Sequence, residues 1–124
     1  MRLLIDSHVF LWWRAGSPAL SPTARNAISD PANEVLISIA ALWELTIKEA
    51  AGKLTFTPDL KAMVADEGFS VLSITFLHLR GIGTLPRVHR DPFDRMMIAQ
   101  ALADGIPIAT GDRIFAAYGV QIVW

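Results

Sequence analysis

The chain has no cysteine among its 124 residues. That excludes disulfide staples, thiolate nucleophiles and cysteine-ligated metal centres. It also lacks any apolar stretch near the roughly 18 residues that a bilayer-spanning helix needs, because charges and histidines interrupt every run. Asp6 and His8 break the opening residues too early for a secretory leader, so a cytoplasmic protein is the expectation. There is no linker, internal repeat or low-complexity tract. A chain of this length builds one core rather than two, and residues 1–124 read as a single domain. A net charge of −1 exerts no global pull on a polyanion, so contact with nucleic acid has to rest on local cationic groups.

Apolar side chains are abundant, at 52% of the residues. Such a surplus suits a parallel sheet covered on both faces, and equally a surface that buries itself against a partner. Leu3-Leu4-Ile5 and Val35-Leu36-Ile37 are apolar without alternation, the pattern of strands buried on both sides. Phe69 to Ile74, Ile106 to Thr110 and Val120 to Val123 complete a set of about five strands. Helices are predicted over Ser7 to Arg14, from Ser21-Pro22, and over Ile39 to Ala51 closed by Gly52. Further helices are predicted over Pro58 to Glu67, over Thr75 to Arg80, from Asp91-Pro92 to Gly105, and over Asp112 to Tyr118. Gly81 to Arg90, with two glycines and a proline, reads as a loop. Strands alternating with helices imply an α/β fold, a three-layer α/β/α sandwich around a parallel sheet.

Four acids occupy informative places in that pattern. Asp6 ends the first strand, Glu44 lies in an early turn of the helix after the second, Asp94 lies in the first turn of its helix, and Asp112 comes one glycine after the fourth strand. In right-handed βαβ units the crossover helix starts at the edge where the preceding strand ends, so all four belong to the carboxyl edge of the sheet. Open α/β sheets bind their ligands at that edge. At about 5 Å and an effective dielectric near 20, each pair of carboxylates repels by roughly 3 kcal/mol. A cluster of this kind protonates, spreads or takes up a cation. Oxygen donors without cysteine or a histidine pair favour Mg²⁺ or Mn²⁺ over zinc, and such an ion keeps several waters, which leaves positions for a phosphate and an attacking water.

Each acid also has a plain structural explanation. Asp6 and Asp112 stand where helix N-caps stand, Asp91 is best read as a cap, Asp94 gains from the helix dipole without any metal, and Glu44 has the alternative of a plain solvated glutamate among apolar neighbours. It is their joint placement at one edge that favours a site. Arg87, His89, Arg90 and Arg95 flank the Asp91 to Asp94 turn and are candidate phosphate contacts, or merely neutralise neighbouring acids. Lys48, one turn after Glu44, is a weaker candidate for stabilising charge. Trp12, Trp13 and Trp43 belong either to the core or to a partner groove.

The stretches Leu4-Ile5-Asp6-Ser7-His8, Ile37-Ser38 through Trp43-Glu44-Leu45, His89-Arg90-Asp91-Pro92-Phe93-Asp94-Arg95-Met96 and Thr110-Gly111-Asp112 resemble, in order and over nearly the whole chain, those of the PIN-domain nucleases. The resemblance is to the VapC ribonuclease toxins of bacterial toxin–antitoxin pairs. It implies catalytic and metal-binding roles for Asp6, Glu44, Asp94 and Asp112, with Asp112 and Asp91 the positions where direct metal contact is open. Ser38 and Thr110 occupy the family's small polar positions and, with Arg90 and Arg95, are the expected substrate contacts. The resemblance further implies a Mg²⁺- or Mn²⁺-dependent endoribonuclease acting on RNA, a homodimer, and inhibition by a cognate VapB-type antitoxin. Two rivals stand beside it: a non-catalytic PIN-like interaction module, and an α/β phosphatase. The phosphatase reading expects a second aspartate where His8 stands.

Overall fold

In the computed structural model, which describes residues 1–124, Leu3, Leu4 and Ile5 are all completely buried. Successive strand residues point to opposite faces, so full burial of three in a row means that helices cover both faces of the sheet. Each such side chain contributes about 1.5–3 kcal/mol relative to exposure. Val35, Leu36 and Ile37 are likewise buried. The three-layer α/β/α reading is therefore correct.

The sheet consists of β1 (Arg2–Ile5), β2 (Glu34–Ser38), β3 (Ser70–Leu72), β4 (Ile108–Ala109) and β5 (Ile122–Val123). Every pairing is parallel, in the order β3-β2-β1-β4-β5. The helices are α1 (Ser7–Ala15), α2 (Pro22–Ser29), α3 (Ile39–Ala50), α4 (Leu60–Asp66), α5 (Phe76–Thr84) and α6 (Pro92–Asp104), with a 3-10 helix over Arg113–Tyr118. The chain runs β1, β2, β3 toward one edge, then returns to lay β4 and β5 on the other side of β1. The topological switch point lies between β1 and β4, where open α/β sheets leave a crevice at the strands' carboxyl ends. No helix is long and apolar enough to cross a membrane.

Helix starts fall where their caps predict. Asp6, Ser21, Ser38, Asp59, Thr75, Asp91 and Asp112 each accept a backbone N–H from the first turn they precede. Gly105 ends α6 in the left-handed region, φ 65°, which favours glycine. Several sequence boundaries need correction, and the fourth and fifth strands cover Ile108–Ala109 and Ile122–Val123 rather than Ile106 to Thr110 and Val120 to Val123. The segment Gly81 to Arg90 is not all loop, because α5 continues to Thr84. Gly81 faces α6, where an added Cβ would stand 3.6 Å from the Ala99 Cβ, so packing between α5 and α6 outweighs the weak helical propensity of glycine. The third strand covers Ser70–Leu72 rather than Phe69 to Ile74, since it is an edge strand paired only to β2.

Candidate active site

The switch point brings Asp6, after β1, beside Thr110 and Asp112, after β4. Asp6 is 5% exposed and uses both carboxylate oxygens. Oδ1 accepts from the Val9 N–H at 2.8 Å, and Oδ2 accepts from the Thr110 hydroxyl at 2.5 Å. The capping role and the edge placement are thus both real, on different oxygens. Thr110 Oγ1 in turn accepts the Asp112 N–H at 3.1 Å, while Asp112 Oδ1 caps Ile114. The glycine between them has a steric reason to be glycine: a Cβ on Gly111 would lie 2.7 Å from Cζ2 of Trp124, whose ring also meets Trp12.

A second group comes from α3 and α6. Ser7 Oγ donates to Glu44 Oε1 at 2.5 Å, which ties this group to the first turn of α1. Asp91 is the cap of α6, its Oδ1 accepting from both Phe93 and Asp94 N–H, as expected. Asp94 makes no cap. Its Oδ2 lies 3.2 Å from His89 Nε2, and His89 Nδ1 lies 2.6 Å from the Tyr118 hydroxyl. That hydroxyl already accepts the His89 N–H and Arg95 Nη1, so its own proton goes to Nδ1. His89 therefore carries hydrogen on Nε2 and donates it to Asp94.

Burial pushes the Asp94 carboxyl up to about 6, with the charges of Asp91 and Glu44 adding to the rise and the His89 hydrogen bond opposing it. Burial also raises Asp6, against the hydrogen bonds from Thr110 and Val9, and Asp112 adds repulsion. The acids sense one another in two groups, Asp6 with Asp112 and Asp94 with Glu44 and Asp91. They do not close into a finished ligand set: no three acidic or histidine side chains lie within reach of a common ion. The four acids thus stand in two groups rather than around one point. The donor chemistry still fits a hard cation. Every candidate is an oxygen ligand, each carboxylate has about four lone-pair sites of which the observed hydrogen bonds engage one or two, and two of the acids are held where charge is costly without a counter-ion.

The expected substrate contacts divide. Ser38 is completely buried, caps Ala40 and donates to Gln100 Oε1 at 2.6 Å, which ties the end of β2 to α6. Thr110 is 1% exposed and engaged with Asp6 and Asp112. Arg95 braces the loop before α6 through Nη1, which donates to Pro86 O at 2.8 Å and to the Tyr118 hydroxyl. Arg90 is exposed. Neither Arg87, Arg90 nor Arg95 joins any of the ion pairs of the fold. Trp12 and Trp13 are half-buried against the core and Trp43 is exposed. Sequence reasoning missed the positioning roles of Ser7, His89 and Tyr118. Only His89 carried a signal, its place beside the Asp91-Pro92 turn; the Tyr118 contact spans 29 residues.

A PIN domain family model matches residues 3–121. The chain is 29% identical over 122 residues to Ribonuclease VapC22 of Mycobacterium tuberculosis, a match covering 90% of this chain and 87% of that protein. Its backbone is similar to VapBC2 from Rickettsia felis bound to a DNA fragment from their promoter, with a TM-score of 0.73 and 13% identity over 98% of this chain and 97% of that one. VapBC-1 from nontypeable Haemophilus influenzae is similar to the same degree, with a TM-score of 0.73 and 17% identity over 98% and 96% of the two chains. At such identities the two solved structures speak for the fold.

Proposed function

The chain belongs to the PIN-domain family, and from that membership we propose that it is a divalent-metal-dependent endoribonuclease of the VapC toxin kind. The observation that carries the proposal is the set of Asp6, Glu44, Asp94 and Asp112 at the switch-point edge, with Asp6 and Asp94 both disfavouring their charged forms. The ribonuclease relative supports RNA as the substrate class. The VapBC complexes among the structural relatives support a VapB-type antitoxin as the partner that neutralises it. A cytoplasmic homodimer completes the reading.

Asp6, Glu44 and Asp94 would hold Mg²⁺ or Mn²⁺, with Asp112 contributing directly or through water. When bound, the ion supplies charge neutralisation at the scissile phosphate and a water activated for in-line attack. Thr110 and Val9 keep Asp6 in place, and Ser7 does the same for Glu44. His89, fixed by Tyr118, holds Asp94. Arg90 and Arg87 draw the phosphate backbone toward this edge. Attack by water leaves a 5′ phosphate and a 3′ hydroxyl.

The test is cleavage of end-labelled RNA pools by purified, antitoxin-free protein in Mg²⁺ or Mn²⁺, with a chelator control. Metal-dependent cutting that the Asp6→Asn, Asp94→Asn double variant lacks supports the proposal. Undiminished cutting by that variant refutes it, and well-folded protein that cuts none of the pools favours the interaction module.

A further inference from the structure

Beside the acidic edge, between α3, α5 and α6, lies an apolar recess of about 290 Å³ whose lining includes Trp43, Phe93, Met96, Ile82 and Arg90. Trp43 is 59% exposed, unusual for a side chain that is highly buried on average. Its ring meets Phe93 edge-on, with centroids 5.1 Å apart and planes at 90°. Such a contact fixes the pair without covering both faces of either ring. Trp43 directly precedes Glu44 and Phe93 directly precedes Asp94, so both rings are tied to acids of the proposed site.

A second recess of about 700 Å³ adjoins the first, with Ile82, Arg90 and Arg95 lining both. It adds Arg87 and His89, and its three arginines are outside every ion pair. An aromatic recess opening onto a cationic one matches a single-stranded nucleic acid, which offers a base face for stacking and a phosphate for neutralisation. An apolar protein segment would fill the first recess and leave Arg87 and Arg90 of the second without a counter-charge. Resting on the ribonuclease reading, we infer that Trp43 and Phe93 form a stacking subsite for one unpaired base next to the scissile phosphate. Arg90 holds that nucleotide's phosphate. Trp43 is then a specificity-determining residue, and cutting is confined to positions where a base can leave its stack.

The test has two arms. In chelator, equilibrium binding of a fluorescein-labelled single-stranded RNA should weaken about tenfold for Trp43→Ala and recover for Trp43→Phe. Arg90→Ala should lower the slope of affinity against salt by about one. In Mn²⁺, Trp43→Ala should change the nucleotides that flank the cuts. Circular dichroism checks that the exposed substitution leaves the fold intact. Equal affinity and an unchanged cut pattern in Trp43→Ala, with the wild type still cutting, overturn the subsite and leave the nuclease reading standing. A wild type that neither binds nor cuts RNA overturns both. If Trp43→Ala instead loses dimerisation or antitoxin binding with RNA affinity unchanged, the recess belongs to a protein partner and the subsite is refuted.

Discussion

Asp94 shows how a single residue can read two ways until its surroundings are known. In sequence it is a first-turn acid, which the helix dipole alone would explain. In the fold it leaves capping to Asp91 and sits half-buried near Glu44, with a carboxyl raised to about 6 from an ordinary 3.8. By linkage, a folded state that holds this proton more tightly has its full advantage below about 4, and loses it as pH rises through 6. For metal-free protein, the melting temperature of the wild type should therefore fall relative to Asp94→Asn between pH 4 and 6.5, measured by calorimetry across that range. A constant difference between the two would contradict the assignment. Thr110 is the complementary case. As the hydroxyl on buried Asp6, its replacement in Thr110→Val should cost about 1–3 kcal/mol in urea unfolding, with Thr110→Ser recovering most of it. The motif residues Asp6, Asp94 and Asp112 were legible because they punctuate strands and helices. The buried partners of Ser38 and Thr110 were not legible, because a small polar residue looks the same in sequence whether it faces substrate or a buried partner.

At the scale of the elements, helix starts were legible and one helix end was not. Side-chain caps are local chemistry, so Asp6, Ser38, Thr75 and Asp91 each mark the first turn of a helix within a few residues of sequence. The continuation of α5 through Gly81 and Gly83 is decided by α6, far along the chain. His78 belongs to the same joint. It is 2% exposed, its Nδ1 accepts the Thr75 N–H at 3.1 Å, and its Nε2 stands 3.0 Å from Asp104 at the far end of α6. The first bond assigns the ring hydrogen to Nε2, which donates to Asp104. His78→Ala is expected to destabilise by about 1–3 kcal/mol. Hydrogen exchange should show protection lost first in α5 and the end of α6, and uniform loss across the fold would refute a local clamp.

Across the whole molecule, alternation of strands and helices gave the layers, while the order β3-β2-β1-β4-β5 depends on where the chain reverses and leaves no mark on composition. That reversal places Asp6 and Asp112 after neighbouring strands at the crevice. The apolar surplus also resolves at this scale. Much of it fills a core on both faces of the sheet, and the rest lies outside as exposed Ile39, Trp43 and Ile47 along α3 and Phe76, Leu77 and Leu79 on α5. We propose that acids drawn to one edge by this topology take up a divalent cation which they do not yet jointly enclose. Calorimetric titration of Mn²⁺ into metal-free wild type and Asp94→Asn decides whether they do. Saturable binding to the wild type, at least tenfold weaker in the variant and accompanied by a higher melting temperature of the wild type, is the result expected. No binding heat and no thermal shift in the wild type, or identical titrations for both proteins, would contradict it.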